Sequence, residues 1–183
     1  MILYISDYSL TIYCARGFRE IGHFQFEGSF ELNPQFQKDV DALKPVSKRH
    51  ITFLILSSVL IVLLWWLTER MFFFPWTYLL FLGLFLFMEV AIHFRHFRNL
   101  FLIYEVRKNG GVEGQVFYRK RFSYRISALD FYMFSGLFLI IAALNYSALF
   151  LGGAIACFAL GINHNKLAKK VKSSPLPAVE SRS

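Results

Sequence analysis

Two long apolar blocks, residues 51–92 and 126–163, constrain this chain more than any other feature. Each is about twice the ~20 residues that one helix needs to cross a bilayer. Each also carries a short polar break near its middle, Glu69-Arg70 in the first and Asn145-Tyr146 in the second. Hydrocarbon offers no water to backbone N–H and C=O groups, so a crossing segment must satisfy them internally, as a helix does. The expected fold is therefore an all-α integral membrane protein: a four-transmembrane-helix bundle made of two helical hairpins. The crossings fall at 51–68, 71–92, 126–144 and 147–163. A chain of 183 residues with 22 Phe, 56% hydrophobic and only 17% charged residues has the composition such a fold requires.

Around this transmembrane domain (49–163) three polar regions remain: an N-terminal region (1–48), a connection (93–125) and a tail (164–183). Within residues 1–32, Ile2/Tyr4, Phe24/Phe26 and Phe30/Leu32 alternate between glycines, which suggests short strands or hairpins. Asn33-Pro34 then reads as a helix start, and Phe36, Val40 and Leu43 recur at helical spacing, predicting an amphipathic helix over 34–43 that Pro45 stops. Ser47 is placed to cap the first crossing. Past the second crossing, Phe94, Phe97, Phe101 and Tyr104 keep helical spacing, so that helix should continue as a basic amphipathic extension up to Asn109-Gly110-Gly111. The alternation over 115–126 suits either a strand or an interfacial helix. The tail is small and polar and should be flexible. The N-terminus has no basic start, long apolar core or cleavage site, and reads as mature sequence.

Charge sets the expected orientation. Of the 20 Lys and Arg residues, six precede the first block, eight lie between the second and third crossings and five follow the fourth, leaving only Arg70 on the other side. Positive charge beside membrane segments is retained in the cytoplasm. Both termini and the 93–125 connection are thus expected in the cytoplasm, with the protein in the plasma (inner) membrane. Trp65, Trp66 and Trp76 gather at the opposite ends, where amphipathic rings favour the interface. The basic excess is explained by this retention and by contact with anionic lipid headgroups, and nothing points to nucleic acid.

Glu89, His93 and His96, at i, i+4 and i+7, share one face at the inner end of the second crossing. Imidazole and carboxylate donors suit zinc or iron, and His164 on the fourth crossing or Asp130 on the third could complete the shell. A metal or haem site on Glu89, His93, His96 and His164 is one expectation. Another is a buried Glu89 paired with His93 or an arginine such as Arg125. A third is proton exchange at Glu89, because a carboxylate in lipid must be protonated or paired. Few polar residues continue such a path outward. Ala128, Ser135 and Ala142 on the third crossing, and Gly153, Cys157 and Gly161 on the fourth, are ridges of small residues suited to close helix packing or an oligomer contact. With two cysteines far apart, no disulfide framework is expected. No nucleophile triad, phosphate-binding glycine loop or CxxC is present. The functional expectation is a non-enzymatic accessory or scaffold subunit that contacts another membrane protein or a second copy of itself.

Overall fold

The structure is a computed structural model, and it describes residues 1–171. It is helical apart from one two-stranded ribbon. In chain order the elements are α1 (Ile2–Ile21), β1 (Phe24–Phe26), α2 (Gln37–Asp41) and α3 (Lys48–Trp65). A π-helical turn (Trp66–Met71) follows, then α4 (Pro75–Asn109), β2 (Val116–Tyr118), α5 (Lys120–Asn145) and α6 (Ala148–Lys170). Four of these helices are long and apolar enough to cross a membrane: α3 with its π turn, α4, α5 and α6. That set fits a membrane protein.

The four long apolar helices do not share their packing evenly. α6 lies between α4 and α5 and packs along both, whereas α3 touches α4 sparingly. Of the most apolar stretch of α3 only 6% is buried, against 33% in α5 and in α6. Lipid is as apolar as Leu, so burial alone does not draw helices together inside a membrane; close packing and hydrogen bonds do. α6 obtains these through its glycines. A Cβ on Gly152 would lie 2.0 Å from the Leu80 carbonyl oxygen, and Gly153 and Gly161 seat the rings of Phe87 and Tyr132. Cys157 is fully buried, and Ser135 donates 2.9 Å to the Ala154 carbonyl. Both small-residue ridges read from the sequence therefore face inward, and Gly83 on α4, which that reading left out, is the tightest point of all.

The first twenty residues correct an expectation. Ile2 and Tyr4 belong to no strand; Ile2–Ile21 is one helix. The reason is visible in its buried face, where Tyr8, Thr11, Ile12, Ala15 and Phe18 recur every three to four residues. Gly17 is no breaker but a close contact, its hydrogen leaving room for Ile103, and the helix ends at Gly22 in the left-handed conformation at φ 72°. β1 is where Phe24/Phe26 predicted it, while Phe30 and Leu32 lie in irregular chain. β1 pairs in parallel with β2, Phe24 opposite Val116 and Phe26 opposite Tyr118. The stretch 115–126 thus resolves into both alternatives, a short strand followed by the start of α5.

The helix expected over 34–43 is shorter, Gln37–Asp41, because Asn33 accepts a bond from Gln35 N–H in a turn instead of capping a helix. Its apolar residues still pack as their spacing implied: Val40 is fully buried against Tyr8, Ile12 and Ala15. Ser47 caps α3 by accepting from His50 N–H. α4 begins at Pro75 rather than residue 71, after the π turn and three phenylalanines, and its 35 residues extend about 52 Å at about 1.5 Å each. That is roughly 20 Å more than a ~30 Å hydrocarbon core, and the surplus is the basic extension that the phenylalanine spacing predicted. α6 runs on to Lys170, so residues 164–170 of the expected tail are helical; the rest, from residue 172, lies outside the described residues.

α1 lies parallel to the basic half of α4: Ser6 meets His93, Thr11 meets His96, Gly17 meets Ile103, and Glu20 pairs with Arg107. Its first turn reaches α3, where the Ser58 hydroxyl bonds Met1 Sδ. The start of α1 therefore stands between α3 and α4. Phe18, Phe24, Cys14, Ile103 and Val106 form a core under the β ribbon, each large side chain contributing about 1.5–3 kcal/mol where water is displaced.

Candidate functional site

The helices border a partly open cavity of about 630 Å³ at the basic end of the bundle. One face of α4 forms its wall, α1 closes one side, α5 and α6 the other, and residues 26–36 cover it. Glu89, His96 and His164 all border it, as do Asp7, Glu31 and Arg95.

Glu89, His93 and His96 do lie along one face of α4, and all are buried. The two histidines are bound to α1 rather than to each other or to the Glu89 carboxyl group. His93 Nδ1–H donates 2.8 Å to the Glu89 carbonyl, so in the neutral ring Nε2 accepts from the Ser6 hydroxyl at 2.7 Å. His96 Nε2–H faces the Asp7 carboxylate at 2.7 Å, with the Thr11 hydroxyl 3.3 Å away. His164 on α6 uses Nδ1 on the Ser127 hydroxyl at 2.7 Å. The His93 and His96 rings stand 6.3 Å apart and nearly perpendicular. Among the described residues, no three His, Cys, Asp or Glu side chains converge on a point where a metal ion could sit.

Neither expected partner of Glu89 reaches it. Arg125 is exposed, and His93 bonds the Glu89 backbone, so Glu89 Oε2 is buried without a protein partner. Asp130 does not turn towards the histidines; it accepts both Arg98 Nη1 bonds at 3.0 and 3.1 Å and lies 3.7 Å from Arg95 Nε. Arg95 also rests over the Phe131 ring at 5.2 Å.

Several residues of the site were not legible in sequence. Asp7, Ser6 and Thr11 arrive only because residues 2–21 are a helix. Their i, i+1 and i+5 spacing on a face flanked by Tyr8 and Ile12 was the available signal. His50, at the first turn of α3, stacks on Tyr4 with ring centroids 4.3 Å apart. Glu31 comes from the irregular cover, and no periodicity could place it. Burial pushes its carboxyl above the usual range, with Asn33 N–H opposing that shift. Burial likewise pushes the Tyr4 hydroxyl up to about 12, with the Glu89 and Asp7 charges adding to it.

The arrangement holds acid and imidazole groups in fixed tautomers around a sizeable space. Cys14, beside it, is not a thiolate nucleophile near neutral pH, because burial pushes its thiol up to about 12. Comparison with protein-family models, with characterised proteins and with solved structures finds no match.

Proposed function

We propose that this chain is a non-enzymatic accessory or scaffold subunit of a membrane assembly, with α3 as the helix that meets a partner. The observation that carries this reading is the isolation of α3. α4, α5 and α6 are joined by glycine contacts, while α3 is tied mainly at its ends, by His50 against Tyr4 and Tyr8 and by the π turn. Its hydroxyls at Thr52, Ser57 and Ser58 bond carbonyls of its own helix, and Val59 and Val62 are exposed. A helix in lipid loses nothing by standing apart, and it gains dispersion contacts when another helix packs on it.

In this reading both termini and the 93–125 connection are cytoplasmic, the protein sits in the plasma (inner) membrane, and its lysines and arginines meet anionic headgroups. The partner is another membrane protein or a second copy of this chain. A photo-crosslinking residue at Val62, with one at Leu139 on α5 as comparison, tests it in intact membranes. Capture of one defined protein from Val62 and none from Leu139, matched by a stoichiometric complex in mild detergent, is expected. A solitary monomer in several mild detergents, with no product from Val62, would remove the proposal.

Proton exchange at Glu89 is the second reading, favoured by its buried, unpaired Oε2. Its test is flux into liposomes, which Glu89→Gln must abolish. The metal or haem alternative on Glu89, His93, His96 and His164 has less support, since both His93 nitrogens and His164 Nδ1 are already committed.

A further inference from the structure

Four buried side-chain atoms around the cavity lack a hydrogen-bond partner in the protein: Glu89 Oε2, His96 Nδ1, His50 Nε2 and Arg95 Nε, the last with Asp130 3.7 Å away. A buried polar atom left unpaired is costly, so each marks a direction in which the protein can bind something. Two of them are acceptors: Glu89 Oε2 in the ionised carboxyl group, and Nδ1 in the neutral ring of His96, whose Nε2 proton faces Asp7.

Charge points the same way. The cavity wall carries the carboxylates Asp7, Glu31 and Glu89 against the guanidinium groups Arg95 and Arg98. Asp130 stands behind both arginines and neutralises them in part. A chain with a net charge of +8 therefore gathers four carboxyl groups around two arginines at this one place, and a cation bound there would favour their ionised form. Two neighbouring apolar surfaces complete the site. Phe18, Phe26, Phe30 and Tyr118 line it under the β ribbon, and Phe131 and Leu160 line it between α5 and α6. A volume of about 630 Å³ lies within the ~300–1,000 Å³ usual for sites that take small organic molecules.

We infer that this cavity binds a small amphipathic amine, its ammonium group donating to Glu89 and its apolar body lying against the surface that Phe131 and Leu160 line. An ammonium supplies only donors, which is what these acceptors lack. An aromatic face adds cation–π attraction to the charge pairing. An anion of the same size would meet the excess carboxylates, and a neutral alcohol would donate one bond without the charge.

The test uses the full chain in lipid nanodiscs with three probes that share one body: phenethylamine, 2-phenylethanol and phenylacetate. Binding is measured by equilibrium dialysis at neutral pH. One-to-one binding of phenethylamine, at least about tenfold tighter than the alcohol and tighter still than the acid, is expected for a charge-assisted pair. Glu89→Gln should weaken the amine about tenfold and leave the alcohol unchanged. Glu31→Gln on the cover serves as a second variant, expected to act in the same direction, should the first alter folding. Equal affinity for all three probes, no saturable amine binding because the cavity holds water only, or unchanged amine binding in both folded variants would overturn the inference. None of these outcomes bears on whether α3 recruits a partner.

Discussion

Gly83 of α4 faces Leu149 of α6 so closely that a Cβ at position 83 would stand 1.9 Å from the Leu149 carbonyl oxygen. The obstacle is backbone, which cannot rotate away as a side chain tip can. Gly83→Ala should therefore force α4 and α6 apart, costing at least the ~1–3 kcal/mol typical of an overpacked core. Gly136→Ala on α5, where nothing lies within 4 Å of the added carbon, should leave stability equal or slightly higher, since Ala is the better helix former. Thermal unfolding and size-exclusion profiles in detergent distinguish the two; equal behaviour of both variants would contradict this packing.

The bond between Asp7 and His96 is one of the polar fastenings of α1 onto α4, beside Ser6–His93 and Glu20–Arg107. Asp7→Ala leaves the buried His96 without a partner for Nε2 except the distant Thr11 hydroxyl, a loss on the order of 1–3 kcal/mol. Backbone amides of residues 2–21 should then exchange hydrogen faster, while those of α5 and α6 keep their protection. Uniform loosening across the chain, or no change in α1, would argue against a local fastening.

The Cys14 thiol, pushed up to about 12 by burial, should be nearly inert to maleimide in the folded protein. Only the thiolate attacks, so its labelling rate should rise about tenfold per pH unit while the thiol still holds its proton, without a plateau at neutral pH. A Cys157→Ala background isolates the signal. Rapid labelling of the native chain at neutral pH would show that Cys14 is not enclosed between α1 and α4.

Orientation is tested with single cysteines introduced at Glu113 and at Glu69 in a background lacking the native two. In intact cells a membrane-impermeant reagent should label position 69 and spare 113, the reverse holding in inverted vesicles. Labelling of 113 from outside would reverse the assignment drawn from the distribution of Lys and Arg.

The four long apolar helices, the tight turn at Asn145-Tyr146, the basic continuation of α4 and the inward ridges of small residues were all legible in the chain itself. These properties depend on local physics: a long apolar run in lipid has no solution but helix, and a glycine stripe suits close contact whatever the partner. Which ridge meets which helix was not legible. α6 took the central place because Gly152 and Gly153 admit α4 on one side while Gly161 admits Tyr132 of α5 on the other. α3, rich in Leu, Ile and Val without glycine, had no comparable surface.

Glu89, His93 and His96 could be placed on one face by counting residues, but their partners could not. Asp7 and Ser6 reach His96 and His93 over separations of many residues, through the docking of α1. By itself the sequence determined which stretches form helices long and apolar enough to cross a membrane, because hydrophobicity and hydrogen-bond satisfaction act residue by residue. Only the tertiary structure decided what Glu89 and the histidines face, because a side chain's partner depends on which distant helix can approach its own.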